Sequence, residues 1–364
     1  MTESDRGLKA ILQLALIYAG ALACGFVADR LNVPLPWMIG SILFAAAYSF
    51  SGRSVTIPVG TRQIGQVLVA SSIGLAFTPD TVAAMGSLLI PMLAAALLTI
   101  IFGFIIGAFI KMAAKVDVIT ATLAAIPTGP VESVVLAHKH GVDAGPIIFA
   151  QIFRIMALVC LVPPIIVALD GTISDPSSVL SNVNWTPEGA ALLAGAGTVG
   201  AFVARAVRLS NPFFVGALAG AALVAALNFP VTALPYPVLV LAQTFLGVWL
   251  GATFDRTIVR KAKGFISIAI IAAFLMASLC AVLGLILSYL TGVSWQVMVL
   301  ATAPGSATEM ALTAKILNEG LAIVTAFHVL RIFIILPFAP LIIGTTAKVA
   351  AYWERRSRPS EERT

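Results

Sequence analysis

Charge is what this sequence has least of. Asp, Glu, Lys and Arg make up 10% of its 364 residues, against roughly 25% in a soluble globular domain. With 60% hydrophobic residues and a mean hydropathy of +1.03, a water-soluble fold is excluded. Histidine and cysteine are scarce as well. His138 and His140 stand two residues apart with no cysteine near them, and His328 is remote. Two such ligands do not define a metal site. Cys24, Cys160 and Cys280 fall in separate apolar segments, so a packing role is expected and no disulfide framework is indicated. A glycine-rich phosphate loop and a Ser-His-Asp arrangement are missing too. The chain is therefore expected not to be an enzyme and to use no cofactor. The net charge of +6 sits at segment ends, so no nucleic-acid partner is expected either.

What the chain has instead is long continuous apolar stretches. Runs of about twenty residues read as membrane-spanning helices, and they lack the alternation of a membrane barrel. The chain also says the same thing twice. Ile126-Pro127-Thr128-Gly129-Pro130-Val131-Glu132 recurs as Ala303-Pro304-Gly305-Ser306-Ala307-Thr308-Glu309. Pro36-Trp37-Met38-Ile39-Gly40 matches Pro212-Phe213-Phe214-Val215-Gly216, and Gln66 and Gly74 match Gln243 and Gly251. The offset is 176 early and 177 later. Each copy holds six apolar segments, near 8–28, 34–50, 62–78, 82–112, 117–140 and 146–169, then 187–207, 212–228, 238–254, 264–290, 294–317 and 321–346. This sets residues 1–175 as a first transmembrane repeat, 176–184 as a linker, 185–349 as a second repeat and 350–364 as a basic cytoplasmic tail. The basic lead of Arg6 and Lys9 suits a signal peptide, but Phe26-Val27-Ala28 recurs as Phe202-Val203-Ala204. The first segment is thus expected to be retained as a helix.

The charges orient the copies. Arg53, Arg62, Lys111 and Lys115 flank the second and fourth loops of the first copy. Arg205, Arg208, Arg256, Arg260, Lys261 and Lys263 fill the first and third loops of the second. The linker carries Asp170 and Asp175 without a basic residue. Basic loops stay in the cytoplasm. The pattern works only if each copy crosses the membrane an odd number of times. The expected fold is an all-α polytopic membrane protein of two inverted-topology repeats. Each repeat has about five transmembrane helices plus one interrupted helix, either re-entrant or discontinuous. Both termini face the cytoplasm.

The interruptions carry the chemistry. Asp117 to Ile126 is about ten residues, or roughly 15 Å of helix, half of a hydrocarbon core of about 30 Å. The prolines then break the helix, which is tolerated at that depth only where protein or water surrounds the backbone. Each second half-helix aims its positive N-terminal end at mid-membrane, so the two breaks together suit an anion. Pro127, Thr128, Gly129, Pro304, Gly305, Ser306 and Thr308 form this candidate site, with hydroxyls as added donors. Carbonyls at the ends of the first half-helices suit Na⁺ or a proton carrier. Glu132 and Glu309, in the first turns beyond the breaks, read as helix caps or as proton or cation carriers. Arg154 and Arg331 need partners if buried. Those expected are Glu132 and Glu309, or an anionic substrate. Gln151 and His328 precede them by three residues, and His328 is a candidate proton relay. Gln66 and Gln243 line the cavity or bridge helices. Gly103/Gly107, Gly216/Gly220 and Gly247/Gly251 have the spacing of close helix contacts, within the bundle by default and in a homodimer otherwise. Pro163, Pro164, Pro337 and Pro340 are expected to kink the closing helices.

The paired Pro-Trp/Phe-x-x-Gly segments, the Pro-Gly-Ser-Ala-Thr-Glu-Met stretch at 304–310 and Arg331 resemble the bacterial AbrB-duplication membrane proteins. The first half departs from the motif, with Pro127-Thr128-Gly129-Pro130 in place of a Pro-Gly-Gly-type sequence. The resemblance implies a bacterial inner membrane. It also implies an architecture similar to the cation:proton antiporter and anion-transporter superfamily, built of inverted repeats and broken helices. Labels within the family include regulators of gene expression and ammonia monooxygenases, but this chain shows no copper or iron ligand set. The expectation is a secondary transporter of a small organic anion coupled to H⁺ or Na⁺, working within the lipid bilayer. One repeat-built core would move against the other. The alternative is a membrane sensor or regulator that uses the same pocket without net transport. The short tail after Lys348 favours transport.

Overall fold

The computed structural model describes residues 3–52, 55–170, 184–209, 211–254 and 256–357. Every element among them is helical, with no strand. The first copy runs α1 (Glu3–Arg30), α2 (Pro36–Phe50), α3 (Val59–Gly74), the short α4 (Pro79–Met85), α5 (Leu89–Ala114), α6 (Val118–Ala125), α7 (Pro130–Lys139) and α8 (Ala144–Asp170). The second runs α9 (Pro187–Ala206), α10 (Pro212–Ala226), α11 (Tyr236–Ala252), the short α12 (Arg256–Lys261), α13 (Ile266–Thr291), α14 (Trp295–Thr302), α15 (Ala307–Ile316) and α16 (Leu321–Ser357).

The same local chemistry starts and stops matched elements. α2 and α10 are both 15 residues long and open on a proline after a left-handed residue, Leu35 (φ 55°) and Asn211 (φ 51°). Proline suits the first helical position because no intrahelical donor is lost there. Asparagine accepts left-handed backbone more readily than leucine. α5 and α13 are both 26 residues, α6 and α14 both 8, and α7 and α15 both 10. Asp117 caps α6 by accepting the Thr120 N–H at 2.8 Å.

Among the described residues, six helices are long and apolar enough to cross a membrane, or seven if the bent α16 is counted. They centre on α1, α5, α8, α9, α11 and α13. The sequence reading of about ten crossings meets a length limit at α2, α3 and α10. Their 15 or 16 residues rise about 22–24 Å, short of a core of about 30 Å. α16 bends by 51° between Leu321–Ile335 and Pro337–Thr346, as its prolines require. α8 instead runs on through Pro163 and Pro164 as one span. α16 also continues past residue 349 to Ser357, so the expected tail starts inside a helix. Arg53, linker residues 176–183 and tail residues 358–364 lie outside the described residues.

Packing cuts across the two copies. α1, α2 and α3 pack with α9, α10 and α11 in one bundle, and α5 to α8 pack with α13 to α16 in another. The contacts are reciprocal: α2 lies on α11 as α10 lies on α3, and α8 lies on α13 as α16 lies on α5. The bodies in contact are therefore mixed, not one body per copy. The glycine pairs are used inside the chain. A Cβ on Gly216 would stand 2.4 Å from the Gly200 carbonyl, and one on Gly251 would stand 2.4 Å from the Ile42 carbonyl. α3 touches α15, and α2 and α11 touch α8, joining the bundles around the site.

Candidate functional site

The two helix breaks, 126–129 and 303–306, line a single cavity of about 310 Å³ between the bundles. Pro127 and Pro130 stop the first helix because neither offers an N–H. Gly129 then turns the chain at φ 95°, a conformation that penalises a side chain. A Cβ at Gly129 would also stand 2.8 Å from Glu132 Oε2, so this carboxylate folds back over the break. In the second copy Ser306 is extended (φ −77°, ψ 145°) before α15 begins. The first-turn N–H groups of α7 and α15 have no partner within their own helices, and they give this cavity two poles of partial positive charge.

Most of the site residues expected from sequence come together here. Gln66, Pro127, Thr128, Gly129, Glu132, Arg154, Pro304, Gly305, Ser306, Glu309 and Arg331 all line the cavity. Glu309 is buried, with 8% of its surface exposed, and its Oε2 has no hydrogen-bond partner among the described residues. Glu132 is partly exposed. Thr128 shares a 2.7 Å hydrogen bond with Ser133.

The partners of the buried arginines correct the sequence reading. Arg154 Nη1 donates to the carbonyls of Ala125 (2.8 Å) and Ala124 (3.4 Å), and Nη2 to Gln151 Oε1 (2.6 Å). Arg331 donates to the carbonyls of Ala303 (2.6 Å) and Gly305 (2.5 Å). These bonds go to backbone carbonyls and to the Gln151 amide oxygen, not to Glu132 or Glu309. α8 lies against α6 and α16 against α14, which brings each guanidinium to the negative end of a half-helix. Each charge-assisted bond is worth about 1.5–3 kcal/mol net, which offsets the cost of burying the guanidinium.

Three expected residues stand apart from the cavity lining. His328 is fully buried, and its Nε2 donates to the Leu300 carbonyl at 3.0 Å; a carbonyl only accepts, which fixes that tautomer. It caps α14 as Gln151 caps α6, where Nε2 donates to the carbonyls of Leu123 (2.7 Å) and Ile126 (2.8 Å). A relay through His328 would have to break that cap. Thr308 and Gln243 are fully buried, with the Thr308 hydroxyl and both Gln243 amide atoms lacking a partner among the described residues.

The model of the family described as "Transition state regulatory protein AbrB" matches residues 37–346, a stretch that spans both breaks. The chain belongs to the AbrB family. Two relatives match over nearly their whole length. The uncharacterized protein YhjN of Bacillus subtilis (strain 168) is 23% identical over 375 residues, covering 93% of this chain and 94% of its own. A candidate regulator of Escherichia coli (strain K12), itself named AbrB, is 23% identical over 329 residues, covering 88% and 92%.

This AbrB-family cavity also contains residues that sequence reasoning missed. Arg62, Gln63, Asn211, Phe213 and Trp249 form the wall contributed by the first bundle. The Arg62 guanidinium lies 4.0 Å from the centroid of the Trp249 ring, a cation–π distance. Gln66 Nε2 donates to Asn211 Oδ1 at 3.2 Å. The one sequence signal for Arg62 was a cation next to an apolar run, and loop charge accounts for that equally well.

Proposed function

We propose that this AbrB-family protein is a secondary transporter of a small organic anion, coupled to H⁺ or Na⁺, and not an enzyme. The observation that carries this reading is the charge composition of one cavity. Arg62, Arg154 and Arg331 face it with Glu132 and Glu309, three cations against two carboxylates. With both carboxylates ionised the wall has a formal excess of one positive charge, and with both protonated an excess of three. An anion is therefore held best when protons are held too. Linked binding of this kind is what couples one solute to another. The two positive helix ends and the Arg62–Trp249 pair supply directional contacts for a carboxylate.

The cavity lies where the two mixed bundles meet, so a shift of one bundle against the other is the motion that would alternate its access. The charged loops support inverted repeats in a bacterial inner membrane with both termini cytoplasmic. The regulator names carried by the family and by the Escherichia coli relative favour a second reading, a membrane sensor that binds the same anion without net transport.

Proteoliposomes loaded with the purified protein and given a panel of labelled carboxylates separate the two. Accumulation driven by an imposed pH or Na⁺ gradient is the expected result. Saturable binding in detergent with no gradient-driven accumulation would replace the transporter with the sensor.

A further inference from the structure

A soluble cation such as Na⁺ would seat itself among carbonyl oxygens at the C-terminal ends of broken helices, because these offer negative poles in a dry place. In this protein the oxygens that close α6, and several of those that close α14, are already engaged. At the end of α6, Thr122 O accepts the Ile126 N–H (3.0 Å), Leu123 O and Ile126 O accept Gln151 Nε2, and Ala124 O and Ala125 O accept Arg154 Nη1. At the end of α14, Leu300 O accepts His328 Nε2, while Ala303 O and Gly305 O accept the two Nη atoms of Arg331. Both guanidiniums are nine-tenths buried, with Arg154 4% and Arg331 7% exposed. A second cation placed at either end would lie beside a full positive charge in a poorly screened interior.

We propose that Arg154 and Arg331 are tethered cations that occupy the seats a soluble monovalent cation would take, so that the site works without Na⁺. This deepens the transporter reading of the same cavity, and it leaves the proton as the coupling ion. The carboxylates facing the cavity are Glu132 and Glu309. The charged and titratable groups on these elements and those packed around them include Arg62 on α3, His138 and Lys139 on α7, Arg154 and Cys160 on α8, Lys315 on α15, and His328 and Arg331 on α16. Arginine suits the role because it stays charged and its planar fork reaches two carbonyls at once.

The test needs no knowledge of the substrate. The melting temperature of the full-length protein in detergent is measured in NaCl and in N-methyl-D-glucamine chloride at equal ionic strength and pH. Equal melting temperatures are expected, and a rise specific to Na⁺ overturns the proposal, since a bound ion stabilises by mass action. Arg331→Ala and Arg154→Ala form a second arm. Each is expected to melt several degrees lower, with most of the loss returned by millimolar guanidinium or by Na⁺ entering the vacated seat. A loss that neither cation repairs counts against the proposal. If the variants do not fold, the wild-type comparison still decides. Absence of transport in proteoliposomes would remove the transporter reading and leave this result standing.

Discussion

The wall that Arg62, Gln66, Asn211 and Trp249 build on one side of the molecule has a counterpart made of different residues. Their matched positions in the other copy are Leu239, Gln243, Leu35 and Ser72. On the first side the side chains leave an open cavity that charged and polar groups face. On the second, Trp37 Nε1 donates to the Tyr236 hydroxyl at 2.8 Å, and the Lys315 amine donates to the Ser72 carbonyl (3.1 Å) and hydroxyl. Gln66 finds Asn211, whereas Gln243, with leucine in place of that asparagine, has no partner among the described residues. Two copies with nearly the same backbone plan thus differ in chemistry. The repeat sets where helices begin and break. On the proposed reading, the side chains of α3, α10 and α11 decide which side holds a solute.

The comparison breaks first at the carboxylates. Glu309→Gln is expected to abolish or uncouple uptake while the protein stays folded and inserted. Glu132→Gln, nearer solvent, should cost less. Uptake by Glu309→Gln with an unaltered dependence on pH and Na⁺ would end the role of Glu309 as carrier. At the cavity wall, Arg62→Ala removes a cation able to meet the anion, at about 1.5–3 kcal/mol per lost charged hydrogen bond. That corresponds to affinity lower by roughly ten- to a hundredfold. Leu239→Ala, its mirror change, should lower the melting temperature and leave affinity alone. Equal affinity losses in titration of the two variants would show that the asymmetry has no bearing on binding.

A smaller effect tests the tie between the bundles. Lys315 bridges α15 to α3, whereas its matched residue, His138, is exposed. Lys315→Met should lower the melting temperature by a few degrees, as expected for a lost tie of about 1.5–3 kcal/mol, and His138→Met should not. Equal shifts in thermal unfolding would remove the tie from the account.

Much of the helical plan was legible because helix ends are local events. Pro127, Pro130 and Pro304 announced the breaks, and the offset of 177 brought Glu132 with Glu309 and Arg154 with Arg331. The partners of those arginines were not legible. Spacing along α8 says that Arg154 and Gln151 share a face, but only the packing of α8 on α6 decides that they meet carbonyls and not carboxylates. Arg62 was hidden for a related reason. A cation at the head of an apolar helix reads as a loop charge until Trp249, 187 residues later in the chain, is seen beneath it. The bundles were hidden as well, because a repeat in sequence does not say which helices share a body.

The finest probe is Gln243→Leu against Gln66→Leu. A buried amide without partners loses hydration and gains nothing in exchange, a penalty of about 1–3 kcal/mol. Leucine has nearly the same volume and no polar atom, so Gln243→Leu should raise the melting temperature by a few degrees and leave anion affinity unchanged. At Gln66 the same change removes a cavity-facing amide and strands the Asn211 carboxamide oxygen, so affinity should fall with no gain in stability. If Gln243→Leu instead weakened binding or gradient-driven uptake, the amide would have a partner in another state of the proposed carrier. The closed side would then be the same site, turned away.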